Sequence, residues 1–305
     1  MPNEKSRKAI SWGKINKKML PYYFLIPAAI LLLCFTAYPV MNVFRNSFLH
    51  FNPNKPWLDG FAGLDNYIRL FTDDELFRSS LSVSLRWCIY VVSLQLVFGL
   101  IFALALNAKF RGRGFIRALV FAPWALSGVM VSILWMLIFH QNIGILNDLL
   151  MNLGFIDRPI AWLANPDKVF SSVIVAELWR GIPFFTISYL AAMQTIPTEL
   201  YESCDVDGGG RLAKFRYIIL PFLKDTIILT SLLRLVWSFN SVDLIRTLTG
   251  GGPMGLTTTL SIYLTDTAVR WQEFGYGSAI GVTVFLLMLA FAIAYIKVSR
   301  FGKEQ

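Results

Sequence analysis

The side chains of this chain that could do chemistry fall into two groups. One is a stretch rich in charge and glycine at residues 197–221; the other is a few charged residues stranded inside otherwise uncharged runs. The usual catalytic sets do not occur. His50 and His140 are the only histidines, and neither lies in an HExxH pattern or beside a nucleophile. Cys34, Cys88 and Cys204 have no partner at metal or redox spacing. No GxxxxGK motif occurs, so the chain carries no phosphate-cradling loop of its own. A membrane enzyme would need an acid, base or metal constellation, and an ion channel would favour a symmetric homo-oligomer with a pore-lining filter.

The stranded charges are Glu177, Arg180, Lys224, Asp225, Arg234 and, at a run's edge, Arg86. An isolated charge in a bilayer costs a few kcal/mol and faces protein or water. Glu177 and Arg180 are three apart and share a helical face, so they can pair. Two readings stand: a structural pair, with each other or a sister chain, or the lining of a translocation path. Trp237, Asn240 and Asp243 combine an aromatic face with polar groups that could hold sugar hydroxyls. The other reading of that trio is an interfacial tryptophan belt at a polar helix end. Trp135 and Trp271 fit belt or core positions, and Gln95, Ser127 and Ser132 fit hydrogen bonds between helices.

The elements that must position these residues follow from composition. Of 305 residues, 55% are hydrophobic and 15% charged, with a mean hydropathy of +0.56. A water-soluble domain carries about 25% charge, so this is a polytopic membrane protein. The net charge of +9 comes from basic residues beside apolar runs, which fits positive-inside topology rather than nucleic-acid binding. Uncharged or nearly uncharged runs predict six spans, at residues 19–44, 87–108, 118–139, 169–193, 218–239 and 274–296. The fourth and fifth hold the stranded charges.

Residues 1–20 form a basic segment resembling the start of a signal peptide, but the apolar run after it is too long for one and reads as a retained anchor. Sixteen lysines and arginines fall on the side of the N-terminus, and eight on the other. Both termini are therefore expected in the cytoplasm. The outer loops, about 30 to 35 residues each, are too short for domains. In the first, residues 61–67 read as a turn into a short amphipathic helix. In the third, Gly250, Gly251, Gly252 and Pro253 must break any helix. No internal repeat suggests a self-contained secondary transporter.

The inner stretch 197–221 reads as helix, turn, helix. Thr198 can cap a first helix carrying Glu199 and Glu202 near its positive end. Gly208, Gly209 and Gly210 make the turn. A second helix would carry Leu212, Phe215, Ile218 and Ile219 on one face and re-enter the membrane at Pro221. By pattern alone this is equally a solvated loop with turn glycines. The spacing of Glu202, Ser203, Cys204, Asp207, Gly208 and Gly209, followed by Phe215, Ile218, Leu220 and Pro221, resembles the EAA loop of permease subunits in binding-protein-dependent ABC importers. Ser203 and Cys204 replace two alanines, and Gly209 stands where alanine is commoner; all stay small. Residues 61–71, 179–183, 190–197, 248–253 and 274–276 extend the resemblance over nearly the whole chain beyond Tyr22, toward the sugar branch with maltose-type and glycerol-phosphate-type importers.

The resemblance implies an all-α permease of the type I importer fold. Its parts would be a cytoplasmic segment 1–20, a first transmembrane helix 21–44, a periplasmic loop 45–79, a permease core 80–298 containing the coupling loop 197–221, and a cytoplasmic tail 299–305. In that family the loop is a coupling helix seated in an ATPase. The implied partners are a second, homologous permease subunit, two copies of a P-loop ATPase subunit, a periplasmic solute-binding protein, a sugar or sugar-like solute and the lipid bilayer of the bacterial inner membrane, with no nucleic acid. ATP and Mg would sit on the ATPase subunits, leaving this chain without a cofactor.

Overall fold

The computed structural model describes residues 20–108 and 110–299. The basic segment before Leu20, Lys109 of the second-to-third turn and the tail after Ser299 lie outside the described residues. The described chain is mainly helical, with a single hairpin of two-residue strands.

Helix α1 (Leu20–Leu32) passes through a π-helical turn (Leu33–Ala37) into α2 (Tyr38–Asn46). Pro39 explains the wider turn. It lacks an N–H and its ring would press on a carbonyl one turn back, so the backbone widens and Tyr38 N–H bonds to Leu33 O instead. Tyr22–Asn46 is long and apolar enough to cross a membrane, and the apolar stretch buries nothing within the chain. Its outward face is free for lipid or another subunit.

Strands β1 (Leu49–His50) and β2 (Gly60–Phe61) pair antiparallel, and α3 (Asp65–Thr72) is the short amphipathic helix expected after the turn. Asn66 is buried, its Nδ2 donating to Ser47 O and Leu49 O, both at 3.0 Å. Helix α4 (Glu75–Asn107) follows; at 33 residues it is about 50 Å long and begins well before the expected span. Asp74 caps it, accepting from Phe77 N at 2.8 Å.

The third expected span is not one rod. Helix α5 (Arg113–Phe121), with a 3-10 turn over Ala122–Ala125, meets α6 (Gly128–Ile138) at a 103° bend. Pro123 removes a backbone donor, Leu126 is extended, and Ser127 restarts the helix by accepting from Met130 N at 3.2 Å. Ser127 thus serves as a cap, not as the interhelical bond expected from sequence. Ser132 does make that bond, donating to Leu244 O at 3.1 Å.

Helix α7 (Ile145–Asn152) caps the next loop, and α8 (Pro166–Met193) returns as the fourth span. Helix α9 (Thr198–Val206), the turn 207–210 and α10 (Arg211–Lys214) lead through a second π-helical turn (Phe215–Ile219) into α11 (Leu220–Phe239). Pro221 is accommodated as Pro39 is, with Leu220 N–H bonding to Phe215 O. The backbone is therefore helical without a break from Arg211 to Phe239. Helix α12 (Asp243–Leu248), the glycine turn, α13 (Leu260–Thr265) and α14 (Phe274–Ser299) complete the fold. Gly250 and Gly251, at φ 63 and 92, occupy left-handed backbone and stop α12 as expected.

Among the described residues, four helices are long and apolar enough to span a membrane, or five if α5 and α6 count together. Helix α11 falls outside that set because Lys224, Asp225 and Arg234 lie within its 20 residues. Two hydrophobic clusters form the core. One gathers Trp87, Val91, Ala176, Leu244 and Tyr263; the other gathers Val92, Ala103, Phe185, Tyr189 and Leu223. A polar layer sits at their boundary.

Candidate functional site

Helices α4, α8 and α11 each contribute one side chain to that layer. Gln95 is fully buried; its Nε2 donates to the Glu177 carbonyl at 2.7 Å, and its Oε1 accepts from Arg234 Nε at 2.7 Å. Arg234 also donates to Glu177 Oε1. Glycine makes the approach possible. A Cβ at Gly181 would overlap the Gln95 amide and lie 2.6 Å from an Arg234 nitrogen, and one at Gly99 would press on Phe185.

One turn beyond Glu177, Arg180 faces outward from the layer. Its guanidinium is 3.6 Å from Glu177 Oε2 and 3.5 Å from Asp243 Oδ2. Asp243 opens α12, and its carboxylate fills the space that a Cβ at Gly128 would take. The bend between α5 and α6 therefore has a consequence: it brings the positive N-terminal end of α6 against a carboxylate. A cavity of about 280 Å³ opens here, walled by Trp124, Glu177, Arg180, Arg234, Trp237, Ser241 and Asp243. The Trp237 ring packs on Phe184, centroids 5.1 Å apart, and keeps its other side open.

Glu177, Arg180, Trp237 and Asp243 are thus brought together, and the Glu177–Arg180 pair is formed at the wall of a cavity. Asn240 is not brought into this group. It is exposed just past the end of α11, its amide turned back to donate to Val236 O at 2.8 Å, and it is not in the cavity wall. Sequence reasoning missed Trp124 and Ser241, and it left Arg234 unassigned. The spacing of Arg234 and Trp237, three apart like Glu177 and Arg180, was the available signal. Arg86 lies outside the site, over the Phe170 ring at 5.7 Å.

The second group of residues lies at the end of α8. Thr198 is the first helical residue of α9 and Pro197 the cap, so the expected threonine cap is absent. Proline's fixed φ starts the helix instead. Tyr201 and Cys204 turn inward onto the cluster that contains Phe185 and Leu223, while Glu202, Ser203, Asp207 and Gly208 face outward. Burial raises the Tyr201 phenol above its usual range, partly offset by Lys214. Gly208 has φ 76, which an L side chain adopts only with strain. Gly209 N–H donates to Cys204 O at 2.7 Å, closing the turn. Lys214 and Asp205, 2.6 Å apart, tie the two arms together.

On the second arm Phe215 is half-buried and Ile218 buried, but Leu212 is 77% exposed rather than on the inner face. The π-helical turn rotates the residues after it relative to those before, which breaks the single stripe predicted from a uniform period. Leu212 and Val206, the latter 87% exposed, leave an apolar rim around the acidic, glycine-rich tip. Pro221 marks the start of α11 as expected.

At the opposite end Asp74 accepts from Tyr263 OH at 2.5 Å and from Tyr276 OH, joining α4, α13 and α14. Burial first, and the Asp74 carboxylate second, hold the Tyr263 phenol well above its ordinary range. Arg69 caps the cluster, 3.1 Å from Glu273 and 4.0 Å above the Tyr276 ring.

Residues 95–300 match the family described as binding-protein-dependent transport system inner membrane component. The chain is 37% identical over 295 residues to the trehalose/maltose transport system permease protein of Thermococcus litoralis, covering 95% of this chain and 97% of that one. It is 32% identical over 289 residues to the sulfoquinovosyl glycerol transport system permease protein of Agrobacterium fabrum, covering 95% and 93%. Among solved structures, a chain of a bacterial alginate ABC transporter, crystallised with an alginate pentasaccharide-bound periplasmic protein, superposes with a TM-score of 0.82 at 24% identity, covering 95% of this chain and 97% of that one.

Proposed function

Since the chain belongs to the family of binding-protein-dependent transport system inner membrane components, we propose that it builds one half of the translocation pathway for a sugar or sugar-like solute delivered by a periplasmic binding protein. A second, homologous permease subunit supplies the other half, and two P-loop ATPase subunits, holding ATP and Mg, drive the cycle through residues 197–221. The chain itself hydrolyses nothing and holds no cofactor. It crosses the inner membrane six times with both termini in the cytoplasm; α11, the span with three charges, is supported by the burial of Arg234 among neighbouring helices. The division into segments 1–20, 21–44, 45–79, 80–298 and 299–305 follows.

One observation carries the reading. The rod from Arg211 to Phe239 is unbroken, and the exposed turn at Gly208 leads directly into it, so continuous helix links that turn to the cavity residues Arg234 and Trp237. From Arg211 to Arg234 it spans about 35 Å. An ATPase that grips the turn differently in its ATP-bound and free states biases the position of this rod, and differential contact of that kind is what shifts a two-state equilibrium. Glu202, Ser203, Asp207 and Gly208 offer the gripping surface; Cys204, Gly209, Phe215 and Pro221 hold its shape. Glu177, Arg180, Trp237 and Asp243 face the solute.

The test is Gly208→Val and Glu202→Lys, with membrane level, co-purification of the ATPase and solute uptake followed together. Normal insertion with transport lost is expected; wild-type uptake in both would make this loop a solvated connector. Single engineered cysteines complete it: position 54 should react from outside and position 202 should not.

A further inference from the structure

Which saccharides suit the cavity depends on where its charges already point. Both cations in its wall are matched. Arg234 is bound by Glu177 and Gln95, and Arg180 lies between Glu177 at 3.6 Å and Asp243 at 3.5 Å. The four charged residues of the wall sum to zero. An acidic sugar would have to displace a carboxylate from an arginine or enter as an extra, uncompensated anion at low dielectric.

The unmet need points the other way. Glu177 is 2% exposed, and its Oε2 has no hydrogen-bond partner, the Arg180 guanidinium standing too far off at 3.6 Å to donate. A buried acceptor in that state is costly unless a donor reaches it. A sugar hydroxyl is such a donor, whereas a second carboxylate is an acceptor only. Trp124 and Trp237, each about half exposed beside these groups, give the apolar ring faces that complement a pyranose.

Resting on the sugar-importer reading above, we propose that the half-pathway built by this chain selects neutral saccharides over acidic ones, with Glu177 Oε2 and the Asp243 carboxylate accepting from solute hydroxyls and the arginines held in reserve by those same carboxylates. Removing either carboxylate charge frees Arg180 and shifts the preference toward an anion.

The experiment uses the full complex of both permease subunits and the ATPase in nanodiscs, without binding protein, so that the pathway itself discriminates. Radiolabelled maltose and trehalose are the neutral probes, and digalacturonate, matched in size, is the acidic one. Wild type should bind a neutral probe at least tenfold more tightly than digalacturonate. Glu177→Gln should narrow that ratio tenfold or more. Asp243→Asn, on a carboxylate outside the buried layer, should narrow it too and guards against a folding defect in the first variant. Tighter binding of digalacturonate by the wild type, or an unchanged ratio in both variants, overturns the inference and leaves the sugar-importer reading standing. Failure of all three probes to bind, with no saccharide uptake by the complete system, overturns both.

Discussion

Cys204 and Gly209 both depart from the alanines common at their places in the EAA loop, and the structure makes them one event. A Cβ at Gly209 would fall on Cys204 Sγ and lie 2.9 Å from Cys204 O and 3.4 Å from Ala213 Cβ. The sulfur occupies the room that the missing methyl leaves. Gly209 does not have a positive φ, so alanine carries no backbone penalty there and the whole effect is steric. Overpacking of this kind costs about 1 to 3 kcal/mol. At 1.4 kcal/mol per tenfold, Gly209→Ala should lower the fraction of loops in docking geometry by roughly 5- to 150-fold. Cys204→Ala alone, which leaves a small gap beside Gly209, should cost less. Combined, the two should recover the part of the loss that comes from the sulfur, the approach to Cys204 O remaining, with a coupling energy of about 1 kcal/mol or more. The assay is a double-mutant cycle in proteoliposomes, measuring solute transported per ATP hydrolysed alongside ATPase co-purification. A wild-type ratio in Gly209→Ala, or a double variant no better than Gly209→Ala, would refute the size-exchange argument.

Gly181→Ala should push the Gln95 amide and Arg234 away from Glu177 and destabilise the α4–α8 crossing by a few kcal/mol, seen as a lower melting temperature of the purified complex; Ser132→Ala, which loses one interhelical bond, should cost only about 1 kcal/mol. Asp74→Ala should remove the cap of α4 and two tyrosine hydrogen bonds together and lower the melting temperature, whereas Asp74→Asn, which keeps an acceptor for Phe77 N, should lose less.

The helix, turn, helix shape of residues 197–221 was legible from sequence because its constraints are local. A turn at Gly208 needs a residue that tolerates φ 76, and a helix start after Pro197 needs only the ring's own geometry. Local rules also placed α3 and the break at Gly250. They failed at Leu212, since a π-helical turn inserts a phase shift that no uniform period carries. They failed at Ser127 for a related reason. An apolar run of 22 residues looks like one span, yet Pro123 and a competent serine cap let the chain turn through 103° where a neighbour offers somewhere to go.

Composition and spacing by themselves determined that this chain is a helical membrane protein and which charges stand inside its apolar runs, because hydropathy and backbone preference act residue by residue. Only the tertiary structure decided what those charges do. Glu177, Arg234 and Gln95 come from three helices, with Gln95 and Arg234 139 residues apart, and the layer exists because Gly181 and Gly99 let the helices close to backbone distance. Asp243 reaches Arg180 only because α6 begins anew at Gly128. Long-range pairing of polar groups in a packed core is decided by which backbones can approach, and that depends on the whole bundle rather than on any one segment.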